Sequence, residues 1–93
     1  MYEISFSNEF LRDVKKLKMK HYEMSKLYEV FHILADNDTE TLRRKYHDHQ
    51  LKGSLKDYRE LHIAADWLLI YRVEGHILLI TMMRTGSHDE LLR

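Results

Sequence analysis

The sequence predicts an α+β domain: an N-terminal strand, an antiparallel helix pair, then an antiparallel β-meander, with the helices packed on one face of a small sheet. Three observations carry that prediction. Residues 2–6, YEISF, alternate Tyr2, Ile4 and Phe6 against Glu3 and Ser5, the period of a half-buried strand. Apolar residues then recur twice at helical spacing, first Phe10, Leu11, Val14 and Leu17, then Met24, Leu27, Phe31 and Leu34 with Val30 beside them. Beyond Gly53 and Ser54 the apolar stretches shorten and take the period of strands.

Each element has its own punctuation. Ser7 or Asn8 can cap the first helix, and the pattern breaks around Lys20 and His21. Asn37 and Asp38 end the second helix, and two amphipathic helices so tightly joined form an antiparallel pair. In residues 57–63, Arg59, Leu61 and Ile63 point one way and Tyr58, Glu60 and His62 the other. Ala64, Ala65 and Asp66 make a short connection to WLLIYRV, 67–73, an apolar run typical of a central strand. Glu74 and Gly75 suit a hairpin turn, HILLITMMR at 76–84 returns, Gly86 breaks the strand, and SHDELLR closes as one helical turn. With no repeat, linker or low-complexity segment, residues 1–93 read as a single domain with one modest core.

Composition narrows the function classes. There is no Cys, which excludes a disulfide framework and thiolate metal ligands and suits a reducing cytoplasm. The start, MYEISFSNEF, is neither basic nor continuously apolar, so no signal peptide is expected. The runs WLLIY and ILLI are too short to span a bilayer, so a cytoplasmic protein without a membrane partner is expected. Fifteen basic and fifteen acidic residues cancel, which argues against bulk electrostatic capture of nucleic acid. Their distribution is uneven. RDVKKLKMK at 12–20 holds five basic residues and one acid, and 43–59 holds Arg43, Arg44, Lys45, Lys52, Lys56 and Arg59 against Asp48 and Asp57.

The expected pairing concentrates the unusual residues. Asp66 and Trp67 begin the central strand, while Arg84 and His88 lie at the end of its antiparallel neighbour, so they meet in space. His62 ends the preceding strand nearby, and His49 and Lys52 sit on the segment leading in. Imidazoles serve as base and acid near neutral pH, a carboxylate can orient one of them, and an Arg can hold a phosphate bidentately. Such a set suits cleavage of RNA by its own 2′-hydroxyl, with no metal and no action on DNA.

Four ordered motifs carry a resemblance: H-x-L-x-G at His49, Leu51 and Gly53; Y-R-x-x-H at Tyr58, Arg59 and His62; D-W-x-L-I-Y at 66–71; and R-T-G-x-H at 84–88. Together, over essentially the whole chain, they resemble the YafQ group of the RelE superfamily, the toxins of type II toxin–antitoxin pairs, whose fold has the same layout. The resemblance implies a ribosome-dependent mRNA endonuclease that cuts translated message in the A site. It also implies a cognate antitoxin that wraps and blocks the toxin, operator DNA being bound only through that antitoxin. No cofactor is implied. By position the functional residues are His49, His62, Asp66, Arg84 and His88, with Lys52, Lys56, Arg59, Trp67 and Leu92 as RNA-binding or supporting members. His88 is expected as general acid, His62 or Asp66 as base, Arg84 on the scissile phosphate, and His49 as a positioning or protonating group. Two departures stand out: Leu92 occupies a position that is often aromatic in the group, and the chain is neutral where such toxins are commonly basic.

Simpler readings exist for individual residues. His21, His32 and His76 read as structural, His47 as a surface residue, Trp67 as a core anchor, Asp66 as a turn residue, and Met82 and Met83 as strand packing. A metal held by His47, His49, His62 and Asp66 is the chemical rival. A non-catalytic RNA- or ribosome-binding module, or a degenerate toxin acting as an antitoxin-dependent co-repressor, would use the cations and leave His62 and His88 idle.

Overall fold

The computed structural model describes residues 1–91. Strand β1, Glu3–Phe6, leads into helix α1, Asn8–Met19, followed by α2, Met24–Ala35, and α3, Thr39–Tyr46. Strands β2, His49–Gln50, β3, Arg59–Ala64, β4, Trp67–Glu74, and β5, Leu79–Gly86, complete the sheet, and α4, His88–Leu91, follows. The strand order is β1-β5-β4-β3-β2. The pairs from β2 to β5 are antiparallel, as the meander requires, whereas β1 joins β5 in parallel, so the sheet is mixed.

The apolar stripes make the core. Phe10 and Leu17 of α1, and Leu27, Val30 and Leu34 of α2, bury against Leu61, Leu69, Tyr71, Ile80 and Met82 of the sheet. Ser7 caps α1, its Oγ accepting the Phe10 N–H at 3.0 Å and donating to the Met83 carbonyl at 2.7 Å. The helix pair is in fact a trio. The DNDT segment both ends α2 and starts α3: Asn37 takes a left-handed φ of 55°, and Asp38 accepts the Thr41 N–H at 3.2 Å. The returning strand starts later than predicted, because Gly75–Ile77 forms a 3₁₀ turn closed by left-handed Leu78.

Two details at the end of β5 decide where Arg84 and Thr85 point. Pairing with β4 runs Tyr71↔Met82 and then Ile70↔Arg84, so Met83 is an extra, bulged residue. Without it Arg84, two residues from core-facing Met82, would share that face. The bulge turns Arg84 onto the open face and Thr85 inward. Beyond Met82, β1 has ended, and α1 crosses the vacated edge of β5: buried Asp13 accepts the Thr85 N–H at 3.0 Å.

Candidate active site

The open face of the sheet, opposite the core, brings several of the sequence-predicted residues together. Strand register sets His49 beside Glu60, Glu60 beside Ile70, and Ile70 beside Arg84; the next row runs His62, Leu68, Gly86. Leu68 and Ile70, both buried, form an apolar floor. On one side of it His49 Nε2 and His62 Nε2 each lie 3.5 Å from Glu60 Oε1. Across it, two strand spacings or roughly 10 Å away, are Arg84 and the turn bearing His88.

Glu60 is the unusual member. It is 4% exposed, and its Oε2 has no hydrogen-bond partner among the described residues. A buried carboxylate with an unused oxygen costs stability unless a cation or donor answers it, and two imidazoles flank it. His49 Nδ1 lies 2.8 Å from the His47 carbonyl and must carry a proton to donate there, so Nε2 is the nitrogen turned to Glu60. The ring of His47 stands perpendicular to that of His62 with centroids 6.0 Å apart.

His88 opens α4, a single turn that could not form alone. Its backbone N–H donates to Asp66 Oδ1 at 3.2 Å, which joins two of the sequence-predicted residues across 22 positions. Ser87 and Glu90 form a reciprocal cap: the Ser87 N–H donates to Glu90 Oε1 at 3.1 Å and the Glu90 N–H to Ser87 Oγ at 3.2 Å. The bonds from Ser87, aided by Lys20, hold the Glu90 carboxyl below its ordinary pKa.

Arg84 is gripped by Asp13, Nε at 2.7 Å and Nη2 at 3.1 Å, and those hydrogen bonds raise its pKa against a desolvation that lowers it. Its side chain stays 41% exposed, so the guanidinium still meets solvent.

The remaining expected residues divide. Trp67 is buried on the core face, donating from Nε1 to Thr85 Oγ1 at 2.9 Å and meeting Tyr22 edge to face. Arg59, expected as an RNA-binding or supporting member, lies apart from the histidine cluster. It pairs across β4 with Tyr71, on the core-facing side of the sheet and away from Glu60 and His62. There its Nε and Nη2 donate to buried Asp48 at 2.8 and 2.6 Å, and Tyr71 donates to the same carboxylate. Burial opposes the Arg59 charge, but Asp48 prevails and raises its pKa. Burial and Asp48 likewise drive the Tyr71 phenol far up. Lys52 and Lys56 are exposed at the 3₁₀ turn Gly53–Leu55, outside the histidine cluster. Leu92 lies outside the described residues. A cavity of about 660 Å³ sits on the helix side near Leu34, Asp48, Tyr71 and Ile80 and touches none of the histidines. Among the described residues no group of three or more His, Asp or Glu is arranged to hold a metal ion.

Sequence reasoning missed Glu60 and Asp13. The signal for Glu60 was present: a carboxylate two residues before His62 on an alternating strand shares its face.

The family model for the bacterial toxin of type II toxin–antitoxin systems, YafQ, matches residues 2–93. The mRNA interferase toxin YafQ of Escherichia coli K12 is 38% identical over 89 residues, 96% of this chain and 94% of the relative. The crystal structure of the E. coli DinJ–YafQ complex superposes with a TM-score of 0.86 at 36% identity, covering 100% of both chains. A metal-bound toxin from Helicobacter pylori gives a TM-score of 0.86 at 41% identity, covering 99% of this chain and 100% of that one.

Proposed function

The chain belongs to the YafQ family of bacterial type II toxins, an endoribonuclease of the mRNA-interferase class, and from that premise we propose that it cuts translated mRNA in the ribosomal A site by metal-independent acid–base catalysis. The observation that carries the mechanism is the His49–Glu60–His62 unit set across an apolar floor from Arg84 and the turn that bears His88. An RNA phosphate seated over Leu68 and Ile70 has a base on one side and a cation and an acid on the other.

His62, paired with Glu60, takes the 2′-hydroxyl proton. The 2′ oxygen attacks phosphorus, Arg84 neutralises charge on the non-bridging oxygens, and the 5′ oxygen departs with a proton from His88. The products are a 2′,3′-cyclic phosphate and a 5′-hydroxyl. Of the two candidate bases, His62 is favoured over Asp66 because one oxygen of Asp66 already accepts the His88 N–H. Asp66 thereby holds the acid. His49, fixed by the His47 carbonyl, shares the Glu60 charge and steadies the phosphate. Lys52 and Lys56 contact ribosomal RNA at the rim. The partners are the ribosome with its message and a cognate antitoxin, as the DinJ–YafQ complex illustrates for a relative, with operator DNA bound only through the antitoxin. A cytoplasmic site of action follows from a ribosomal substrate.

Primer extension on a defined message in a purified translation system tests this. Wild type should give new ends within A-site codons, and His88→Ala should cut about 100-fold more slowly or worse while keeping its fold. A folded wild type that binds ribosomes without cutting would overturn the catalytic reading in favour of a binding module.

A further inference from the structure

The 12–20 segment holds five basic residues and one acid, and that acid is the residue of the run that bonds Arg84. Asp13 is 7% exposed on a helix whose other charges face solvent. One oxygen, Oδ2, accepts both Arg84 Nε at 2.7 Å and the Thr85 backbone N–H at 3.0 Å; the other, Oδ1, accepts Arg84 Nη2 at 3.1 Å. The arrangement fixes the plane of the guanidinium along its Nε–Nη2 edge and leaves the Nη1 side for another acceptor. Because the same carboxylate holds the strand edge that ends β5, it sets Arg84 relative to the turn that presents His88.

We propose that Asp13 is a positioning residue for catalysis, orienting the Arg84 guanidinium so that its free donors meet the scissile phosphate; this rests on the ribonuclease reading above. Asp13 itself touches neither phosphate nor reacting atoms. Three alternatives to a free, mobile Arg84 are thereby built in: its torsions are fixed, its charge is retained, and its fork is half occupied before RNA arrives. A pre-oriented guanidinium loses less freedom in the transition state, so the benefit belongs to kcat rather than to ribosome affinity.

Asp13→Asn is close to isosteric, but its amide nitrogen presents donors to a group that only donates, which breaks at least one of the two bonds. The test is a cycle of wild type, Asp13→Asn, Arg84→Ala and the double variant, read as single-turnover cleavage at saturating ribosomes and as half-saturating ribosome concentration. Asp13→Asn should cut at least about tenfold more slowly with little change in half-saturation, and should cost almost nothing further in the Arg84→Ala background. A wild-type rate for Asp13→Asn, or the same loss with and without Arg84, overturns the proposal. A wild type that does not cut fails the ribonuclease reading and takes this inference with it, whereas a cutting wild type with an indifferent Asp13 fails the inference alone. Should Asn unfold the protein, NMR of the wild type decides: the Arg84 Nε–H must be slow to exchange with water, and rapid exchange overturns the clamp.

Discussion

Glu60 pairs with Ile70 in mid-sheet, between two histidines, and a purely structural role does not account for it. Its Oε2 is unpartnered among the described residues and its Oε1 has only imidazoles within reach. A buried unsatisfied oxygen costs about 1–3 kcal/mol, so the fold tolerates Glu60 at the expense of stability, as functional groups commonly do. Glu60→Gln keeps the shape and removes the charge. Cleavage should fall at least about tenfold, as for loss of a group that supports a catalytic base, while the melting temperature holds or rises. A parallel loss of both in thermal melts and cleavage assays would mark Glu60 as structural. Residues also show where sequence reading stops. The four histidine, aspartate and tryptophan motifs were legible because their order and spacing are informative. Asp13 was not, because a lone acid among lysines looks like a solvated face, and only the crossing of α1 over the β5 edge shows otherwise.

At the scale of elements, the strands from β3 to β5 and the amphipathic helices were legible from period alone, and α3 was not. Its eight residues, TETLRRKY, carry only Leu42 and Tyr46 as buried positions, too few for a visible stripe, and its N-cap lies in a segment that also terminates α2. What ties α3 to the sheet is Asp48, just beyond it, which gathers Arg59 and Tyr71. The Tyr71 phenol is pushed up by burial and Asp48, so it remains a donor at every working pH. Tyr71→Phe deletes that donor without touching the open face. It should lower stability by about 1.5–3 kcal/mol, the range for a hydrogen bond to a charged group, with kcat unchanged; urea unfolding beside cleavage assays checks both. The short α4 responds to pH instead. Glu90 is held below the ordinary carboxyl value of 4.5, chiefly by the Ser87 N–H. A depressed carboxyl contributes stability that is complete above the unfolded value and lost as pH falls through the folded one. Amide exchange across 88–91 should therefore accelerate as pH drops below about 4.5, beyond the intrinsic pH dependence of exchange. Glu90→Gln should show the faster exchange already at neutral pH and no further step.

For the whole molecule, zero net charge is compatible with an RNA target because cations border the open face of the sheet. Lys16 of α1 lines a small cavity with Asp13, Arg84 and Glu90, and Lys20 pairs with Glu90 at 3.4 Å, so the basic run of α1 borders the β5 side of the site. On the β3 side, Lys45 of α3 lines a depression with His47, His62 and Ala64. The two segments that looked like unrelated charge runs in the sequence thus flank the face proposed as catalytic, while acids such as Asp36, Asp38 and Glu40 fall around the α2–α3 turn. A protein so arranged orients on a polyanion by its local field rather than by its total charge. Engagement of the ribosome should then weaken with salt, by the release of counterions from the few phosphates these lysines meet. Lys16→Glu together with Lys45→Glu should raise the half-saturating ribosome concentration about tenfold or more at low salt and flatten its dependence on salt. The single-turnover rate at saturation should be nearly unchanged, since neither lysine touches the reacting atoms. Cleavage titrations at several ionic strengths read both quantities, and an undiminished salt slope in the double variant would place the electrostatic contact elsewhere on the surface.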